Sequence, residues 1–430
     1  MIAIRHEDKS KWETRVPLIP EDLKRLTREH GTRFKVETSP NRVFPDAAFT
    51  EAGATVDDDL SDCPIIMGVK EIPAKKLLPG KTYVFFSHVI KGQSYNMPML
   101  RRLMELKCNL IDYERITDDK GRRLVFFGRF AGLAGMIDTL WALGRRLEHE
   151  GFDTPFSTIK QAYQYSSLAE ARADVAKVGE QIKNAGLPDA CCPLVCGFAG
   201  YGQVSKGAQE IFDLLPVKEV PPADLASIPS DRNVCFKAEF YEKHMVERID
   251  PSAPFDLQEY YDHPDRYRGV FPAYLPHLSV VVTGIYWELK YPRLVTLEAL
   301  RELFGHGEKP RLRIIGDLSC DIDGSNQATV RTTEPDNSVY VYEPGTGQTI
   351  DGVAGDGPVV LAIDHLPCEL PADASTHFSR SLSPFIPGLA TADFGKPLDD
   401  SGLPPELIRA TILHHGELTP PYRYLEKFLK

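Results

Sequence analysis

Several things are missing from this sequence. Its eight cysteines lie scattered at positions 63, 108, 191, 192, 196, 235, 320 and 368, with no CxxC pair and no regular framework. Free thiols in a reducing cytoplasm are therefore the expectation. No run or stripe of Lys and Arg stands out, and the net charge is −11, which argues against nucleic acid as a partner. No apolar run approaches the roughly 18 residues of a membrane span, so no membrane association is expected. The first residues, MIAIRHEDKSKWETR, are charged and have no apolar core, so a secretory signal is not expected. The histidines show no HExxH or other metal-ligand spacing, and no GxSxG is present. Repeats of fixed period and low-complexity segments are absent as well.

What remains is ordinary and sizeable. Apolar residues make up 42% and charged residues 26% of 430 residues, enough for about two or three domains with cores of their own. Residues 1–120 alternate between the two periodicities. MIAIRHE, RFKVETSP, PIIMGVKEIP, TYVFFSHVIKG and NLIDYERITD read as strands. PEDLKRLTREHG, DAAFTEAGATV and MPMLRRLMELKC read as helices. That alternation predicts a parallel sheet with helices on its faces. Arg129–Gly151 predicts a long helix whose Ala/Gly spacing suits close packing, and LAEARADVAKVGEQIKNAG another. Residues 217–232 read as a Pro-rich loop. SVVVTGIYWE, LRIIGDLSCDI and PVVLAIDHLPCELP read as strands of a second α/β unit, and the tail from about 372 as mostly helical.

Parallel sheets bind ligands at the carboxyl ends of their strands. Lys70, Glu71, His88, Lys91 and Glu114 all fall at such ends, and that coincidence says more than any of them singly. A lysine with a lowered pKa and a histidine can serve as proton donor and acceptor beside a reacting nitrogen. Arg15, Arg123 and Arg129 offer forked, permanently charged partners for carboxylates. The stretch LVCGFAGYGQVSKGAQEIF has the strand, glycine turn and helix of a dinucleotide site. Gly200 and Gly202 suit the sharp bend and the close approach of pyrophosphate. Gly197 precedes the bend, Gly207 suits close packing of helix on strand, and Ser205 could donate its hydroxyl to phosphate. The acidic residue expected about 20 positions on, for the ribose 2′-OH, is matched by Glu219. Lys218 beside it would instead meet a 2′-phosphate, so these two residues leave NAD and NADP open.

The words IRHEDKSKWETRVPLIP, VFPDAAFTEAGA, IIMGVKEIP, YVFFSHVIKGQSYNMPML, LIDYERITDDKGRRLVFFGRFAGLAGMIDTLWALG, GQVSKGAQEIF, DHPDRY, GIYWELKYPRLVT, IGDLSCDIDGS and AIDHLP run in order through most of the chain. They resemble the lysine–2-oxoglutarate reductase part of the bifunctional aminoadipic semialdehyde synthases and the lysine-forming saccharopine dehydrogenases. A more distant likeness is to alanine dehydrogenases and the N-terminal halves of transhydrogenases. The resemblance implies an α/β protein of two Rossmann-like domains with parallel sheets and an interdomain cleft. The expected boundaries are 1–133 with 372–430 for the substrate-binding domain and 134–371 for the dinucleotide-binding domain. It further implies Lys70 and His88 as the acid–base pair. Arg15, Glu71, Lys91, Gln93, Glu114 and Arg123 stand on the substrate side, and Asp364 and the Gly197–Gly207 turn on the cofactor side. Arg129, in FGRFAG, stands where the smaller lysine-forming enzymes resemble FGFYAG, and points with GIYWE to the reductase branch. That branch implies NADP(H), with NAD(H) possible. The implied substrates are lysine, 2-oxoglutarate and saccharopine, and a separate glutamate-forming saccharopine dehydrogenase would be the pathway partner.

Overall fold

The computed structural model describes residues 1–307 and 309–429. The chain divides into two compact units, one of residues 1–127 with 371–430 and one of residues 128–370. The sequence reading puts the boundaries a few residues later, at 133/134 and 371/372. The first expected boundary falls inside the helix that begins at Gly128 and runs unbroken to His149.

In the first unit six strands run parallel: β1 (Ile2–Ile4), β2 (Phe34–Val36), β3 (Thr55–Val56), β4 (Ile65–Met67), β5 (Thr82–Phe85) and β6 (Asn109–Asp112), in the order β6-β5-β4-β1-β2-β3. Most of their residues are buried, and apolar side chains dominate, as expected where helices cover both faces. The first helix, α1 (Pro20–His30), begins with proline, carries Glu21 and Asp22 in its first turn, and stops at Gly31 with φ 66°. Each of these features matches the polarity of helix ends. Two further helices follow, α2 (Asp46–Glu51) and α3 (Met97–Glu105). The chain leaves β1 towards β2 and β3, then returns to β4 on the other side, so the strand order reverses between β1 and β4.

The tail corrects one expectation. Residues 371–382, 386–391 and 405–410 are helical, but Thr411–His414 is a strand, paired antiparallel to β6 and to Glu417–Leu418. Its Thr-Ile-Leu core is buried at the sheet edge, where sheet pairing overrides the helical pattern of PELIRATILHHG.

The second unit opens with α4 (Gly128–His149) and α5 (Leu168–Ala185), then β7 (Leu194–Ala199) and α6 (Gln203–Phe212). Its strands continue with β8 (Val217–Glu219), β9 (Cys235–Phe240), β10 (Val246–Arg248), β11 (Tyr267–Gly269), β12 (Val280–Thr283), β13 (Ile314–Asp317), β14 (Val339–Tyr342), β15 (Thr349–Asp351) and β16 (Val359–Leu361). The main sheet has the order β15-β14-β16-β13-β12-β7-β9-β8, with β14 antiparallel to both its neighbours and the other pairings parallel. β10 and β11 form a separate hairpin. Within the expected 217–232 loop, Val217–Glu219 is an edge strand on β9. Such a short strand carries too little pattern to stand out beside three prolines. The predicted close approach of α4 is real, and it is made to α6. A Cβ on Gly132 would lie 1.9 Å from the Val204 carbonyl oxygen, and one on Gly207 2.1 Å from that of Arg129. Glycine at both positions lets the two backbones touch. No helix among the described residues is long and apolar enough to cross a membrane.

Candidate functional site

The first cluster stands where the order of the first sheet reverses. β4 and β5 pair in register Met67 to Val84, so Lys70 and His88 follow the carboxyl ends of neighbouring strands. The Lys70 turn is fixed from the β1 side. Glu7 accepts hydrogen bonds from the backbone N–H of Val69 (2.6 Å) and of Lys70 (3.0 Å). A Cβ on Gly68 would lie 3.1 Å from Glu7 Oε1, so the glycine leaves room for that cap. Burial, reinforced by the charge of Glu13, pushes the Glu7 carboxyl up to about 7 against the partial opposition of Arg5.

His88 has φ 50°, a left-handed backbone that a non-glycine residue adopts only under constraint. Its ring Nδ1 lies 2.8 Å from Glu71 Oε1, and its carbonyl accepts from Asn96 Nδ2 at 3.2 Å. Burial would raise the Glu71 carboxyl. The hydrogen bond and charge of His88 outweigh it, Lys9 adds to them, and the group is held at about 2. Glu71 is thus a carboxylate at any working pH, and it leaves His88 Nε2 as the ring nitrogen available for proton transfer. Asp112, fully buried at the end of β6, ties the next two turns together. It accepts from Ser87 N (3.1 Å), from the Ser87 hydroxyl and from Glu114 N (2.7 Å). Glu114 in turn pairs with Arg123.

The other predicted substrate-side residues are placed unevenly. Lys91 is exposed and Gln93 half-buried, both in the turn that follows His88. Arg15 is 3% exposed, gripped by Glu13 through two bonds of 2.7 and 2.5 Å and stacked 4.1 Å from the Phe127 ring centroid. Arg129 belongs to the second unit, where its guanidinium holds Glu210 at 2.7 and 2.6 Å. Glu7, Glu13 and Asp112 escaped the sequence reading. Glu7 reaches its partners across more than sixty residues of chain, which no local pattern encodes.

The second cluster follows β7. Gly200 has φ 99°, and a Cβ there would come within 2.7 Å of the Ile285 side chain. Gly202 caps α6, a ten-residue helix, with open space where a Cβ would stand. That geometry fits the pyrophosphate of a dinucleotide. The remaining turn residues do other work. Gly197 lies within β7, where a Cβ would crowd Leu278 and Phe240, and Gly207 packs on α4, a helix where a strand was expected. The Ser205 hydroxyl oxygen is buried and accepts from Gln209 Nε2 at 3.1 Å. A cavity of 270 Å³ opens beside Gly200 and Gly202, walled by Tyr201, Met245, Gly284 and Trp287 among others. Its aromatic and apolar lining suits a flat base. Asp364 follows β16 and is mostly exposed, 3.2 Å from His365 Nδ1.

Glu219 is 78% exposed at the end of β8 and pairs with Lys237 at 2.9 Å. β8 is the edge strand, and β9 lies between it and β7. The carboxylate at the end of the strand beside β7 is Glu239, which the count along the sequence missed because the sheet skips a strand.

Comparison with known proteins agrees with this picture. Residues 3–134 match the family described as alanine dehydrogenase/PNT, N-terminal domain. The chain is 39% identical over 453 residues to an alpha-aminoadipic semialdehyde synthase of Arabidopsis thaliana, covering 100% of this chain and 42% of that protein. It is 29% identical over 398 residues to a saccharopine dehydrogenase [NAD(+), L-lysine-forming] of Neurospora crassa, covering 90% of each. The chain thus spans less than half the length of the Arabidopsis protein. Among solved structures, an L-alanine dehydrogenase superposes with a TM-score of 0.62 over 100% of both chains at 16% identity. The resemblance read from the motifs is borne out, and so is the α/β fold with two sheets of Rossmann-like type.

Proposed function

We propose that this chain is an oxidoreductase that joins the ε-amine of L-lysine to 2-oxoglutarate and reduces the resulting imine to saccharopine, or runs the same reaction backwards. Lysine, 2-oxoglutarate, a reduced nicotinamide dinucleotide and a proton give saccharopine, the oxidised dinucleotide and water. The observation that carries this reading is the dyad of His88 and Glu71, on a constrained backbone beside the capped turn of Lys70. The name of the Neurospora relative contains saccharopine and L-lysine, and the resemblance of the motifs implies 2-oxoglutarate.

Loss of water from the carbinolamine needs a proton delivered to the departing hydroxyl. His88 Nε2 serves it, with Glu71 on Nδ1 fixing the tautomer and the ring's orientation. Lys70 takes or returns the proton of the secondary amine. Glu114, anchored by Asp112 and paired with Arg123, stands at the next strand end. Lys91, Gln93 and Arg123, the last by exchanging its pairing with Glu114, are assigned to substrate carboxylates. Arg15 would join them only by exchanging its grip on Glu13 for a ligand. In the second unit, Gly200, Gly202 and the start of α6 would hold the pyrophosphate, and Asp364 the cofactor side of β16. Hydride exchange with the imine carbon is the chemistry that the dinucleotide supplies when bound.

A steady-state assay tests the reading. With 2-oxoglutarate present, oxidation of reduced dinucleotide is expected with lysine, and not with ammonia, alanine or ornithine. Oxidation that depends on ammonia or alanine would replace this substrate pair with that of an alanine- or opine-type dehydrogenase. A glutamate-forming saccharopine dehydrogenase is the proposed consumer of the product.

A further inference from the structure

Resting on the dinucleotide site proposed above, we infer that the second unit is built for NAD(H) and against NADP(H), and that Glu239 makes the distinction. The glycine turn after β7 and the residue ending the adjacent parallel strand meet at the adenosine ribose in sheets of this kind. β9 is that adjacent strand, paired with β7 from Leu194–Cys235 to Ala199–Phe240. Glu239 is therefore opposite Phe198, two residues before Gly200. It is half-buried, and both carboxylate oxygens are held. Oε1 accepts from Gln209 Nε2 at 2.9 Å, and Oε2 from the Tyr241 hydroxyl at 2.6 Å. Gln209 also reaches Ser205, so α6 and β9 are braced together beneath the turn. Tyr241 stacks on Tyr201 of the glycine turn, with ring centroids 4.8 Å apart. The carboxylate thus has little freedom to swing away from a ligand.

A fixed carboxylate accepts the hydrogen bonds of a ribose diol and repels a 2′-phosphate. The surroundings are mainly acidic. Among the described residues, the recess beside the turn carries the carboxylates of Glu210, Asp213 and Glu239 against Lys206 alone. Three of the neighbouring cations are engaged with carboxylates. Lys237 lies 2.8 Å from Asp213 and 2.9 Å from Glu219, and Arg129 and Arg172 lie 2.6 and 3.5 Å from Glu210. Glu242, bound by the hydroxyls of Tyr201 and Tyr261, adds another negative charge just past β9. Among the described residues, no arginine lines this recess to clasp a phosphate.

The test is binding, without lysine or 2-oxoglutarate. The full chain is titrated with NADH and NADPH, following nucleotide fluorescence, and with AMP and 2′,5′-ADP as competitors. NADH is expected to bind about tenfold tighter than NADPH or better, and AMP to compete better than 2′,5′-ADP. Glu239→Gln keeps the shape and removes the charge. It should narrow the NADH/NADPH ratio at least about fivefold, mainly by improved NADPH binding. A wild-type chain that binds NADPH as tightly as NADH overturns the inference, whatever the variant does. So does an unchanged ratio in Glu239→Gln. Binding of neither nucleotide overturns it together with the dinucleotide site. Preferred NADH binding without lysine-dependent oxidation leaves the inference standing and overturns the substrate assignment alone.

Discussion

The two units set their clusters at the same kind of place, the carboxyl ends of parallel strands near the reversal of strand order, and equip them in opposite ways. The first unit uses charge. Glu7, Glu13, Glu71 and Asp112 are buried or nearly so, each tied to named donors, and they fix the turns that carry Lys70, His88, Arg15 and Glu114. The second unit uses absence of side chain. Gly200 and Gly202 clear the turn, and Gly132 and Gly207 let α4 lie against the helix whose N-terminus faces it. Proton transfer needs groups whose charge and orientation are fixed, whereas holding a pyrophosphate needs backbone N–H groups brought close. The same scaffold serves both because only its loops differ.

The comparison can be broken first at the acid–base pair. Lys70→Met combined with His88→Gln is expected to lower kcat by about three orders of magnitude or more while the thermal melt and dinucleotide binding stay close to wild type. Near-normal turnover would remove both residues from the chemistry. In the second unit the corresponding blow is steric. Gly132→Ala puts a methyl group against the Val204 carbonyl, and is expected to cost about 3 kcal/mol in chemical denaturation, with weakened dinucleotide binding as α6 is displaced. An unchanged midpoint would show that the two helices can part at no cost.

The gentlest test concerns Glu7. Its carboxyl lies at about 7 in the folded chain, above the ordinary 4.5. A raised acid binds its proton more tightly when folded, so its contribution is complete below about pH 4.5 and is lost as pH rises through about 7. Wild type is expected to lose up to roughly 3 kcal/mol over that interval from this group. Glu7→Gln should flatten the curve between pH 5 and 7.5 in urea titrations, though at a lower plateau since an amide caps two N–H groups less well. An identical pH slope in the two proteins would mean that Glu7 is not what titrates. The depressed Glu71 has the opposite sign. Its own titration contributes above the ordinary carboxylate range and is lost only as pH falls towards about 2.

Much of the scaffold was legible from local signals. Pro20 and Gly31 bracket α1, the apolar runs before Lys70 and His88 are strands, and the glycines at 200 and 202 mark a strand–helix turn. These depend on backbone propensity and on periods of two or about 3.6 residues, which a short window contains. The strand at Thr411–His414 was not legible, because its conformation is imposed by pairing with β6 some three hundred residues earlier.

The sequence by itself determined which side chains stand at strand ends and where the chain must bend without a Cβ. Only the tertiary structure decided what those groups face. It put Glu7 under Lys70, gave Arg15 to Glu13, and sent Glu219 to the sheet edge while Glu239 took the place beside β7. The reason is that strand order is not chain order. A residue's distance along the sequence sets its secondary structure, but the crossovers of the sheet decide which carboxylate, out of several equally spaced candidates, is adjacent to the glycine turn.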